Sequence, residues 1–220
     1  MTRSTPRRIA LGAVLIALAA PAAGAQAATL TINKPCEVAT FGVAAVLAGF
    51  TPNTSVSVRG EGIFETGTTD ATGSATIPFA APRLGSIEPG SKQVVLTAKD
   101  NSPAPMTATG AFRTTNFAFG TTGGQQSPKA KRTWSFSGLI PGKPIYGHFR
   151  YAGRTRANYR FGVAKGPCGE LTVKAAGIPV RGRVNTGKWN VQIDQKRTFN
   201  RKTMPRLKGS TTVFKVFRPS

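Results

Sequence analysis

From residue 28 onward, apolar residues recur at every second position in short runs, and Gly, Pro, Asn and Asp punctuate them. No window sustains the i, i+3, i+4, i+7 spacing that lays one apolar face along a helix, so the pattern predicts an all-β chain. In 187–194 the odd positions Trp189, Val191 and Ile193 are apolar, whereas Lys188, Asn190, Gln192 and Asp194 are polar. One face of that strand is expected in a core and the other in water. Thr155, Ala157, Tyr159 and Phe161 alternate in the same way with Arg154, Arg156, Asn158 and Arg160, which predicts a strand whose outer row is mostly arginine. Further strands are expected over 30–33, 43–47, 55–59, 75–79, 93–98, 109–114, 133–137, 145–151, 171–175 and 212–217.

The pattern contains an internal echo. Gly49-Phe50-Thr51-Pro52, with Val56 four residues on, parallels Gly138-Leu139-Ile140-Pro141, with Ile145 four residues on. Gly90 leads into Val94-Val95-Leu96 as Gly187 leads into Val191-Gln192-Ile193, so matching landmarks lie 89 and 97 residues apart. Two units of that size suit immunoglobulin-like sandwiches, which place ~7 strands in ~100 residues. The run 120–128, rich in Gly, Thr and Gln, reads as a linker. The expected order is a signal peptide over 1–27, an immunoglobulin-like β-sandwich over 28–118, a linker over 119–131 and a second immunoglobulin-like β-sandwich over 132–220.

The signal peptide rests on Arg3, Arg7 and Arg8, an apolar run from Ile9 to Ala20, a break at Pro21 and two overlapping Ala-x-Ala sites ending at Ala27. A membrane span needs ~20 apolar residues, and this run stops after about a dozen. The mature chain is therefore expected outside the cytoplasm, secreted or associated with the cell envelope.

The run Gly49 to Val58 and the turn Thr69-Asp70-Ala71-Thr72-Gly73-Ser74 resemble the turn signatures of small secreted bacterial immunoglobulin-like domains. The first unit is also faintly similar to the neocarzinostatin family of chromophore-binding apoproteins. That similarity implies a β-sandwich and, as an alternative function, a small-ligand carrier with an apolar cleft beside its loops. Unlike that family, which carries its disulfides within one domain, the first unit has the lone Cys36.

Charge then divides the units. The 220 residues carry a formal charge of +22, from 30 Lys+Arg and 8 Asp+Glu. Three arginines belong to the signal segment, and residues 28–125 hold six basic and six acidic residues. The remaining 21 basic residues face only Glu170 and Asp194, so the second unit carries +19. A domain so charged repels itself, and a polyanion relieves that repulsion. The candidate polyanion-binding residues are Arg150, Arg154, Arg156, Arg160, Arg181, Arg183, Lys196, Arg197, Arg201, Lys202, Arg206 and Lys208. Outside the cell, the expected partner is an anionic envelope polymer or an anionic membrane surface, with extracellular nucleic acid as the alternative. The competing reading is that charge serves solubility alone.

Little else points to chemistry. Cys36 and Cys168 are the only thiols, one in each unit, in a compartment that favours disulfides. They are expected to bridge the units, with buried free thiols or bridges between chains as the alternatives. His148 is the only histidine and is expected to be structural or exposed. Glu170 and Asp194 are expected to pair with surrounding arginines, although two carboxylates leave a hydrolase formally open. No phosphate loop, nucleophile elbow or zinc-protease motif is present. The expectation is a non-enzymatic protein with no metal and no cofactor.

Overall fold

The structure is a computed structural model that describes residues 27–123 and 127–214. The expected signal segment lies outside the described residues except for Ala27, as do 215–217 of the last expected strand. The described residues are all-β, and no helix long and apolar enough to cross a membrane occurs among them.

The first set of strands is β1 (Thr29–Ile32), β2 (Cys36–Val38), β3 (Gly42–Ala48), β4 (Ser55–Gly60), β5 (Ile63–Thr68), β6 (Ala75–Ala80), β7 (Ser91–Asp100) and β8 (Thr107–Thr115). They form a three-stranded sheet in the order β1-β3-β6 and a five-stranded sheet in the order β2-β8-β7-β4-β5. Alternation places Val43, Ala45 and Leu47 of β3 and Val94, Leu96 and Ala98 of β7 in one shared core.

The second set is β9 (Ala118–Thr122), β10 (Lys131–Ser137), β11 (Pro144–Tyr151), β12 (Arg154–Val163), β13 (Leu171–Ala176), β14 (Gly187–Asp194) and β15 (Leu207–Val213). Its sheets run β13-β10-β9 and β12-β11-β14-β15. Their core is aromatic: the Phe161 ring lies 4.8 Å from Trp134 and 4.9 Å from Phe136, centre to centre. Phe161 and Trp189 are buried in this core and Ala157 and Tyr159 pack against it, so Ala157, Tyr159 and Phe161 of β12 and the odd row of β14 face inward as alternation predicts.

Apart from β2, which has no counterpart, the second set repeats the first strand for strand. β9, β10 and β13 take the order of β1, β3 and β6, while β12, β11, β14 and β15 take that of β5, β4, β7 and β8. The sequence echo marks the same contact in both. Gly49 and Gly138 each have φ 74°, a left-handed turn that glycine adopts without a Cβ clash. The apolar residue that follows, Phe50 or Leu139, is buried. A second glycine abuts its carbonyl: a Cβ on Gly73 would lie 2.0 Å from Phe50 O, and one on Gly169 1.6 Å from Leu139 O.

The differences from expectation have local causes. β5 is an exposed strand with little alternation to read, and β2 has only three residues. β9 occupies part of the expected 119–131 linker, because Gly120 and Thr121 pair with Ser135 and Trp134. The second set thus begins near 118 rather than 132. β12 carries a bulge: Phe149 faces Ala157 while Arg150 faces Thr155, which leaves Arg156 as an extra residue and turns Thr155 outward. The last strand reaches back to Leu207, five residues before its expected start, between the basic residues Arg206 and Lys208.

The two halves join through covalent and polar contacts. Cys36 on β2 is disulfide-bonded to Cys168, with Cα atoms 5.3 Å apart. Fully buried Ser137 Oγ accepts from Gly90 N at 3.1 Å and donates to Asn116 O at 2.7 Å.

Candidate functional site

The β12-β11-β14-β15 sheet has an inner face on the aromatic core and an outer face whose rows follow from register. Tyr146 stands between Arg160 and Asp194, His148 between Asn158 and Gln192, and Arg150 between Thr155 and Asn190. Gln192 continues to Lys208 on β15. Alternation alone would leave this face wet. It is instead partly roofed by 195–206, the connection from β14 to β15, which is twice as long as its counterpart 101–106 in the first set.

The roof is anchored by a buried polar cluster. His148 and Asp194 are both 0% exposed. His148 Nε2 lies 3.1 Å from Asp194 Oδ1, and His148 Nδ1 lies 2.6 Å from Asn158 Oδ1. Two oxygens facing both ring nitrogens favour the imidazolium, which alone can donate from each. Asp194 also accepts from Gln192 Nε2 at 2.7 Å and from Lys196 N at 2.8 Å. Gln192 Nε2 reaches Asn200 O at 2.9 Å, and the Phe199 ring sits edge-on to His148 at 5.8 Å. Burial works to lower the His148 pKa, but its bonds to Asp194 and Asn158 outweigh burial and raise it. Burial likewise works to raise the Asp194 pKa, and the donors around it hold it below the usual carboxylate range.

This corrects one expectation: Asp194 pairs with His148 and not with an arginine, and His148, expected to be structural or exposed, is buried against a carboxylate 46 residues away. Glu170 is half-buried, and its backbone forms an isolated bridge with Lys165. Among the described residues the ion pairs are Lys34–Glu37, Lys92–Glu61 and His148–Asp194, so no Lys or Arg of the second set is neutralised by a carboxylate there.

Ten of the twelve candidate cations are exposed: Arg154, Arg156, Arg160, Arg181, Arg183, Lys196, Arg197, Arg201, Lys202 and Lys208. Arg150 and Arg206 are half-buried. Arg206 turns into its own loop, donating from Nη1 to Thr203 O at 2.9 Å. Nine of the others gather in three places, and Arg154 and Arg160 lie outside all three. Lys196, Arg197, Arg201 and Lys202 line an open depression of about 910 Å³ on the roof. Arg150, Arg201 and Lys208 line a cavity of about 350 Å³ beneath it. Arg156 meets Arg181 and Arg183 around a depression of about 430 Å³ beside Asn158 and Asn185. Strand periodicity finds the β12 arginines, but the meeting of Arg156 with the 177–186 connection, and of Arg150 with Arg201, has no sequence signal.

No group of three or more His, Cys, Asp or Glu side chains among the described residues could hold a metal ion. The interior of the first set is filled by residues such as Leu47, Phe50, Val58, Ile77 and Leu96.

No family model matches this sequence, and no curated protein matches it. Solved structures of similar shape include a tetra-tandem repeat in the extending region of a large adhesion protein, 13% identical over 86% of this chain and 49% of that one, TM-score 0.29. A Ca²⁺-stabilised adhesin that helps an Antarctic bacterium reach out and bind ice is 14% identical over 86% and 49%, TM-score 0.32. Red sea bream transglutaminase is 15% identical over 84% and 30%, TM-score 0.30. This chain spans about half the length of the two adhesion-protein chains. At TM-scores this low, what the chain does has to be argued from its own residues.

Proposed function

We propose that this is a secreted, non-enzymatic binding protein whose basic second half docks on an anionic polymer of the cell envelope. Its two halves are read as tandem immunoglobulin-like sandwiches. The strand order supports that reading, with the first, second and fifth core strands of each half in one sheet and the third, fourth, sixth and seventh in the other.

One observation carries the docking reading: ten exposed Lys and Arg side chains lie on a unit whose two carboxylates are withdrawn from them. Asp194 is consumed by His148, and no other acid stands near enough to form an ion pair with those side chains among the described residues. Self-repulsion between exposed charges acts over a Debye length of ~10 Å at 0.1 M salt, so a linear polyanion laid along these side chains relieves it. The neutral first half has six acids against six bases and offers no such attraction.

The test is equilibrium binding of the full chain to poly(glycerol phosphate). Affinity is expected to fall about tenfold or more between 50 and 200 mM salt, as for proteins that neutralise several phosphates. The triple variant Arg154→Glu, Arg156→Glu, Arg160→Glu is expected to weaken it at every salt concentration. Absence of binding at low salt would end the docking reading.

A further inference from the structure

The 350 Å³ cavity between the roof and the outer sheet face is distinct from the open basic surface. Arg150 comes from β11, Lys208 from β15 and Arg201 from the roof, so three cations from three elements converge there. Asn190, Gln192 and Phe199 complete much of its wall, and no carboxylate is among its lining residues. Asp194, which is bonded to the lining residue Gln192, has its oxygens occupied by His148, Gln192 and the Lys196 amide. The site is therefore electropositive without internal compensation.

Arg150 is held in place but has donors to spare. Its guanidinium carbon sits 4.4 Å from the centre of the Phe199 ring, a cation–π contact that orients the fork. Among the described residues its only hydrogen bond runs from Nη2 to Gly153 O, and its Nε is buried without a partner. An arginine carries five N–H donors in a planar fork matched to the oxygens of a phosphate. A group with donors unspent, fixed by an aromatic ring and facing two further cations, is arranged for a small, highly charged oxyanion. The volume lies at the low end for ligand pockets, ~300 Å³ upward, which suits one phosphoryl group with a small polar substituent.

We infer that the cavity formed by Arg150, Arg201 and Lys208 is a discrete binding site for a phosphate monoester or diester group, with Arg150 as its fixed fork. The inference rests on the docking reading only for the source of the phosphate. On that reading a phosphodiester polymer seats one unit here and lies along the exposed arginines on either side. The Phe199 contact also ties the site to the roof, because the residue that orients Arg150 belongs to the loop that supplies Arg201.

The test is titration of the full chain with inorganic phosphate, glycerol 3-phosphate and poly(glycerol phosphate) at constant ionic strength, followed by calorimetry and amide NMR shifts. Saturable one-to-one binding of glycerol 3-phosphate is expected, with shifts centred on 190–192, 199–201 and 208–209. Arg201→Gln and Lys208→Gln, both at exposed positions, should each weaken it about tenfold, the size of one charge-assisted hydrogen bond. Arg150→Lys keeps the charge but loses the fork, and should weaken it similarly with an unchanged amide spectrum elsewhere. Arg154→Gln and Arg160→Gln should leave the small ligands unaffected while weakening the polymer. Equal binding of inorganic phosphate and glycerol 3-phosphate would assign the site to free phosphate as its source, whereas preference for the ester assigns it to the polymer unit. Non-saturable binding of the small ligands, or equal loss in all variants, overturns the site. Polymer binding that survives that result leaves the docking reading standing, and loss of polymer binding alone removes the docking reading but not the site.

Discussion

At the scale of single residues, the informative pair is His148 and Asp194. Each is a charge removed from water, and each is tolerable only because the other and a ring of amides satisfy it. Removing one partner strands the other, so Asp194→Ala is expected to cost about 3–5 kcal/mol in denaturant unfolding. The pair also dictates pH dependence. His148 has a folded-state pKa above its ordinary 6.5, so its contribution is complete below pH 6.5 and fades as pH rises through the raised value. Asp194 has a folded-state pKa below 3.8, so its contribution is complete above pH 3.8 and fades as pH falls through the depressed value. Charged groups near the pair are Arg150, stacked on the Phe199 ring that also touches His148, Lys196, whose amide binds Asp194, and Lys208 and Arg160, which the register places beside Gln192 and Tyr146. Urea midpoints should therefore be flat between pH 3.8 and 6.5 as far as this pair is concerned, and decline on both sides. His148→Phe should abolish the alkaline decline while leaving the acid decline of Asp100, whose pKa is lowered to about 2 because amide and hydroxyl donors from Thr51, Met106 and Ser102 outweigh its burial.

At the scale of elements, the repeated turn is where sequence and structure speak most directly. In the first set, Asp100 at the end of β7 accepts from Thr51 N at 3.2 Å. In the second, Gln195 just beyond β14 holds the equivalent Ile140, accepting from its N at 3.0 Å and donating to its O at 2.8 Å. The amide takes over the turn, and the carboxylate one residue earlier is left for His148. Gln195→Ala should cost about 1–2 kcal/mol, the value of losing hydrogen bonds to a turn that is partly solvated. The companion glycine is stricter. Gly169 has φ 61° and its added Cβ would meet backbone at 1.6 Å, so relief requires the β10–β11 turn to move. Gly169→Ala is expected to lower stability by about 2–4 kcal/mol in chemical denaturation, at the upper end of single-site effects. Comparable loss from Gly142→Ala, where nothing lies within 4 Å of the added Cβ, would show that left-handed φ alone sets the cost.

For the whole molecule, the junction combines one disulfide with the fully buried Ser137 bridge. The disulfide spans 132 residues of sequence, and closing a loop of that length is worth up to about 4–5 kcal/mol in the chain-entropy model. Cys36→Ser with Cys168→Ser should lower thermal stability by a sizeable part of that figure. Scattering from the variant should also show a broader distribution of sizes, since β2 is held to the second half through this bond. An unchanged melting curve would mean that the Ser137 contacts alone suffice. Placing a neutral half against a strongly basic one gives the molecule a charged end and an uncharged end, the arrangement on which the docking reading depends.

Sequence by itself determined what depends on neighbours along the chain. Alternation located most core strands and the inward set Phe161, Trp189, Val191 and Ile193, the turn glycines announced the repeat, and composition divided the charge. Those features are local, because a side chain's face in a strand follows from its parity and a turn from its φ requirement. Tertiary structure alone decided the rest. The short or exposed β2, β5 and β9 are strands only because a partner edge receives them. Asp194 reads as one polar residue in an alternating row, and it becomes a buried ion-pair partner because β11 and β14 are neighbours and 195–206 folds back over them. Arg150, Arg201 and Lys208 are 51 and 7 residues apart in the chain and line one cavity for the same reason. Distance in space between remote residues is set by strand order and loop return, and neither is written in any local pattern.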